Sequence, residues 1–177
     1  MTAAAAATRP ESTEFAPFYA GYVAAVPEGD ILATLRRSGD EWQTVLATLT
    51  EERAGYRYAE GKWSIRQMVG HLSDAERIFT YRALRIARGD QSPLASFDED
   101  AYADAAGSDR RTLSALAAEL RVVRESTIAL YTSLPNDAWT RTGTASGKTV
   151  SVRALAYITA GHAMHHLRIL RERYLGI

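Results

Sequence analysis

The chain carries four histidines, at 71, 162, 165 and 166, and no cysteine. His162 and His166 are one helical turn apart, so on a helix both imidazoles project from the same side. His71 lies in a separate segment, Met68-Val-Gly-His-Leu-Ser-Asp-Ala-Glu76. There Met68, Leu72, Ala75, Ile78 and Phe79 form an apolar helical stripe, and His71 falls inside it. Around the other pair, Leu155, Ile158, Ala163, Ile169 and Leu170 form a second stripe that contains His162 and His166, with His165 at its edge. Three imidazoles thus face the interior from two helices. Neutral imidazole is the commonest metal ligand. Three protein ligands leave a position open for water or substrate, as catalytic sites do and closed structural sites do not. The candidate metal ligands are His71, His162 and His166. The plainer alternative is a set of ordinary core histidines. His165 belongs beside the site or on the helix surface.

Four long helical patterns must position these residues. The first spans about 30–52, with Asp30 as N-cap and Ile31, Leu35, Trp42, Val45, Leu46 and Leu49 in helical register. The second spans 64–88. It opens on the capping-box pattern Ser64-Ile-Arg-Gln67 and closes at Gly89-Asp90. The third spans about 108–133, capped by Ser108 or Asp109, with Pro135 beyond its end. The fourth spans about 151–174. Residues 89–107 and 134–150 read as long loops, and 1–13 as a disordered tail ahead of a domain at 14–177. The segment 15–26 reads as a short helical arm. No sustained period-two pattern argues for a sheet; Thr149, Val150 and Val152 are too short a β-branched stretch. The predicted architecture is all-α, a four-helix bundle with a short N-terminal arm.

Composition narrows the function. In 177 residues, 46% hydrophobic and 24% charged, the pattern is that of one globular domain. Lys plus Arg and Asp plus Glu both total 21, and no basic stripe appears, so no nucleic-acid partner is expected. No apolar run approaches the roughly 18 residues of a membrane span, so no membrane partner is expected either. The start MTAAAAATRP makes a poor signal peptide, and a cytoplasmic location follows as the expectation. Without cysteine, disulfides, zinc ribbons and a thiol nucleophile from the chain itself are excluded.

The segment Tyr58-Ala-Glu-Gly-Lys-Trp-Ser-Ile-Arg-Gln-Met-Val-Gly-His-Leu-Ser-Asp-Ala-Glu-Arg77 resembles the central motif of the DinB-like (DinB/YfiT) family. Ala160-Gly-His-Ala-Met-His-His-Leu-Arg-Ile-Leu-Arg-Glu-Arg-Tyr174 resembles that family's C-terminal helix. The stretches Pro17-Phe-Tyr-Ala-Gly-Tyr22, Pro27-Glu-Gly-Asp30 and Phe97-Asp-Glu-Asp-Ala-Tyr102 resemble a common branch of it. The resemblance implies an up-down-down-up bundle. It implies a divalent metal, nickel or zinc, on the positions of His71, His162 and His166. It also implies kinship with thiol-dependent S-transferases and a mycothiol-dependent maleylpyruvate isomerase.

The expected activity is therefore that of a metal-dependent enzyme. It would activate a low-molecular-weight thiol cosubstrate for S-transfer to an electrophilic small-molecule substrate. A metal-dependent hydrolase using water and a non-catalytic metal-binding stress protein are the alternatives. A homodimer formed through one helix face is compatible with such a bundle. Glu76 and Asp98 are the candidate catalytic carboxylates; their plainer readings are a helix-edge carboxylate and a member of the solvated run Asp98-Glu-Asp100. Trp63 reads as a packing staple at a helix start or a pocket wall. Tyr22 and Tyr102 could supply rim hydroxyls. Arg82 shares the side of His71 and reads as half of a structural ion pair, or as a contact for an anionic substrate.

Overall fold

The structure is a computed structural model and describes residues 8–177. After two 3-10 turns the elements are α1 (Ala20–Ala25), α2 (Ile31–Leu46), α3 (Glu51–Ala54), α4 (Ile65–Ala87), α5 (Glu99–Ala105), α6 (Leu113–Ser133), β1 (Thr142–Ala145), β2 (Lys148–Ser151) and α7 (Val152–Ile169). A π-helical turn, Leu170–Leu175, prolongs α7. The long helices α2, α4, α6 and α7 form the up-down-down-up bundle, and α4 packs on both α6 and α7. A short loop forces neighbouring helices antiparallel. The long segment between α4 and α6 lets the chain cross over and run α6 the same way as α4. None of the described helices is long and apolar enough to cross a membrane.

Side-chain caps set the helix starts. Asp30 accepts from the Leu32 amide at 2.8 Å. Ser64 and Gln67 exchange the two bonds of a capping box, at 3.0 and 3.1 Å. Ser151 accepts from the Ala154 amide at 3.0 Å and starts α7. The start of α6 differs from expectation. Its cap is Thr112, which accepts from the Ala115 amide, while Ser108 and Asp109 belong to a preceding 3-10 turn. The Asp109 carboxylate is taken by Arg57 and the Ser64 hydroxyl. The first helix also ends early, at Leu46, because Thr50 caps the separate turn α3.

Both expected loops contain structure. Residues 99–105 form α5, and 142–151 form a β-hairpin in register Thr142↔Ser151 to Ala145↔Lys148. Its two-residue turn, Ser146-Gly147, has positive φ at both positions, the geometry that matches strand twist. Leu94 docks alongside, its amide donating to Thr144 and its carbonyl accepting from Ser146. Of the expected tail at 1–13, residues 1–7 lie outside the described residues. From Thr8 the chain is held: Arg9 donates to the Val23 and Val26 carbonyls, and Glu14 pairs with Arg153.

The core falls into two apolar clusters. One gathers Leu35, Phe79, Ile86, Tyr131, Trp139 and Ile158. The other gathers Trp42, Met68, Leu72, Leu116, Leu120 and Leu167. Between them, on all four long helices, lies a buried polar layer that includes Ser38, Glu76, Arg124 and His162. Glu76, read from sequence as a helix-edge carboxylate or a catalytic one, is only 3% exposed and makes a two-pronged ion pair with Arg124 at 2.7 and 2.8 Å. Arg124 also donates to the Leu35 carbonyl and the Ser38 hydroxyl, both at 2.7 Å. Removing one partner of such a pair strands the other charge in the interior, which costs about 3–5 kcal/mol. Glu76→Ala is expected to lose that much in urea unfolding. An unchanged unfolding midpoint would contradict the structural role.

Candidate metal centre

His71 projects from α4, and His162 and His166 from successive turns of α7. Their Nε2 atoms converge: His71 to His162 at 3.0 Å, and His162 to His166 at 3.1 Å. One ligand atom from each lies within 4.8 Å of the others. Imidazole nitrogens bound to one divalent ion at about 2.0–2.1 Å stand about 3 Å apart, so the spacing fits. The donor set fits as well. With each neutral ring carrying its proton on Nδ1, the three Nε2 lone pairs face one another and repel unless a cation sits between them. His71 and His162 are buried, and His166 keeps a buried Nδ1 with no protein partner.

Close packing against a helix glycine flanks both His71 and His162. Gly161 precedes His162, and a Cβ there would sit 2.0 Å from the Tyr22 carbonyl oxygen, so only glycine lets α1 lie against α7. Gly70 precedes His71, and a Cβ there would meet the Ser108 hydroxyl at 2.2 Å. Rings pack around the cluster. Trp63 lies 4.6 Å from the His71 ring and stacks towards His166. Tyr22 and Phe79 meet His162 edge-on at 5.5 and 5.6 Å. Trp63 is therefore a wall of the site as well as a residue before the capping box. Its stacking could have been guessed only from the fold, since it lies eight positions before His71 and ahead of the helix.

Two cavities reach the histidines. One, of about 320 Å³, is lined by His71, His162, Tyr22, Arg82, Asp98 and Glu99 among others. The second, of about 260 Å³, is lined by His166, Trp63, Lys62, Tyr58 and Asp100 among others. The first turn of α5 thus borders both. Asp98 lines the first cavity, but its carboxylate caps α5, accepting from the Asp100 and Ala101 amides at 3.1 Å. Glu99 beside it has no such duty, and burial together with Asp100 and Asp98 holds its carboxyl above the ordinary glutamate value. Sequence reasoning favoured Asp98 within this run; the structure makes Glu99 the freer carboxylate. Tyr102 is 49% exposed, packs on Phe97 and lines neither cavity. His165 lies outside the cluster, against Tyr22 and Arg168.

Burial holds the ligand rings neutral. It pushes His71 down to about 4 and, with His71 and His165 nearby, His166 down to about 3. His162 lies well below the ordinary value through burial, and then through His166, His71, His165 and Arg124. In the unfolded chain histidines titrate near 6.5. Between that value and about 4 the unfolded chain takes up protons that the folded chain refuses, so folding stability falls with falling pH. Metal-free protein is expected to lose urea stability from about pH 6.5 to 4.5, with a shallower slope in His71→Ala. Equal slopes in the two proteins would contradict this.

Comparison with known proteins agrees with the geometry. The profile of the DinB superfamily matches residues 34–170. A candidate metal-dependent hydrolase of Oceanobacillus iheyensis is 37% identical over 57 residues, 32% of this chain and 32% of that protein. The match thus spans about a third of the relative's length. The fold is similar to that of YfiT from Bacillus subtilis, described as a probable metal-dependent hydrolase with an unusual four-helix bundle topology. There the TM-score is 0.74 at 19% identity, covering 82% of this chain and 86% of YfiT. It is also similar to a mycothiol-dependent maleylpyruvate isomerase, with TM-score 0.66 at 17% identity, covering 80% of this chain and 59% of the isomerase. At such identities the structural likeness speaks for the fold, while the profile match covers most of the sequence: the chain belongs to the DinB superfamily.

Proposed function

We propose that the protein is a metal-dependent enzyme that joins a low-molecular-weight thiol to an electrophilic small molecule. The carrying observation is the convergence of three Nε2 atoms, two from buried rings and one from half-buried His166, reached by two separate cavities. A divalent ion held there, nickel or zinc by the preference of imidazole, supplies Lewis acidity towards a thiol, water or carbonyl brought to its open side. His71, His162 and His166 serve as ligands through Nε2 and are not available as bases. Glu99, a cavity-lining carboxylate with a raised pKa, is the group assigned here to take the proton of the incoming nucleophile. Trp63, Tyr22 and Phe79 shield the reacting groups from bulk water. The chain has no cysteine, so the sulfur comes from a cosubstrate. Two cavities give each reactant its own approach.

A hydrolase using water at the same site is the second reading. The names of the Oceanobacillus relative and of YfiT favour it, as the isomerase's mycothiol dependence favours the first. Zinc- or nickel-loaded protein should be assayed with monochlorobimane plus bacillithiol, mycothiol, cysteine or glutathione, and with 4-nitrophenyl acetate without thiol. The expected result is thiol-dependent conjugation that falls to background in His71→Ala and is weakened in Glu99→Gln. Ester turnover without thiol, and no conjugation, would support the hydrolase instead.

A further inference from the structure

We infer that the larger cavity binds a small aryl or arylalkyl carboxylate, with its carboxylate on Arg82 and its other end at the three histidines. This rests on the proposed reading of the histidines as the reactive centre. Arg82 is on α4, three turns beyond His71 and on the same side, about 16 Å along the axis. Both residues line the one cavity.

Arg82 is 3% exposed. Among the described residues no carboxylate lies within ion-pair distance of it, whereas the other buried arginine, Arg124, has Glu76. Its hydrogen bonds to the Ala95 carbonyl, 2.7 Å, and the Ser146 hydroxyl, 3.1 Å, both leave from one nitrogen, Nη2. Those two bonds pin the Leu94 segment and the hairpin turn to α4. Nε and Nη1 make no hydrogen bond to any described residue. Neither atom is among the buried side-chain nitrogens left without a partner, so three of the five N–H donors of this cation stay open to the cavity and free for an anionic ligand. The planar guanidinium fork matches a carboxylate in two parallel bonds.

The rest of the cavity selects the remainder of the molecule. Its walls are rings, Tyr19, Tyr22, Phe79 and Phe97, and the Arg82 guanidinium lies 6.0 Å from the Phe97 ring. About 320 Å³ is at the small end of the range for ligand pockets, about 300–1,000 Å³. It suits one ring with a short chain. Asp98 and Glu99 share the cavity, so a singly charged carboxylate is tolerated better than a doubly charged phosphate.

The test is calorimetric titration of zinc-loaded protein with 3-phenylpropionate and with its uncharged twin, 3-phenylpropionamide. The acid is expected to bind at least about tenfold more tightly, the scale of a charge-assisted pair, and Arg82→Gln should abolish that preference. Equal affinity for acid and amide in the wild type overturns the inference. So does a preference that survives in Arg82→Gln, which would place the carboxylate on the ion or elsewhere. Should Arg82→Gln lose its cooperative melt, the wild type labelled with ¹⁵N-arginine decides. The Arg82 Nε–H signal, assigned by its absence in Arg82→Lys, moves with the acid and not the amide, or the inference fails. Zinc stoichiometry in the same samples separates the two claims. Loss of zinc binding would count against the metal reading, while an Arg82-dependent preference for the acid would still stand.

Discussion

A bundle core tolerates buried polar groups only where each has a partner, and this fold places a polar layer across its middle. Half of that layer closes on itself: Glu76 and Arg124 neutralise each other, and Arg124 spends its remaining donor capacity on Leu35 and Ser38. The other half does not close. Three imidazoles bring their Nε2 atoms together, two pairs at hydrogen-bond distance, and burial resists the second proton that would make any of the rings cationic. Arg124 adds positive potential near His162 and resists protonation further. The arrangement disfavours a proton and favours a cation that takes lone pairs, which is the physical content of a metal site.

The segments between the long helices build what the bundle alone cannot. Two of the four long helices, α4 and α7, supply the ligands, and α1, the α5 turn and the hairpin complete the cavity walls. Gly161 lets the Tyr22 backbone lie against α7 beside His162, and Gly70 makes room for Ser108 beside His71. The hairpin turn reaches the cavity through Ser146, which Arg82 binds. The long crossover is therefore both what permits the parallel pair α4 and α6 and what carries Asp98 and Glu99 to the site.

Much of this was legible in the residues. Caps are local chemistry, so Asp30, and Ser64 with Gln67, marked helix starts correctly. Helical period alone brought His71, His162 and His166 to the interior. What depended on tertiary neighbours was not legible. A four-residue strand has too little pattern to show, so the hairpin was missed. Glu76 looked like a stripe-edge acid because its partner, Arg124, lies on another helix. Asp98 was favoured over Glu99 because its cap role needs α5, which hid inside an expected loop. A signal for the close packing was present all the same. Each ligand-bearing helix has a glycine immediately before its first ligand histidine, Gly70 and Gly161, and a helix-interior glycine asks for a close neighbour.

The central claim is that the three converging imidazoles are a metal site. Untagged protein, stripped and then titrated with zinc and with nickel, should be compared with His71→Ala, His166→Ala and His165→Ala by calorimetry and plasma mass spectrometry. The account predicts one ion per chain in the wild type and in His165→Ala, and none held in the other two. No bound ion in the wild type, or the same stoichiometry in His71→Ala and His166→Ala, would contradict it.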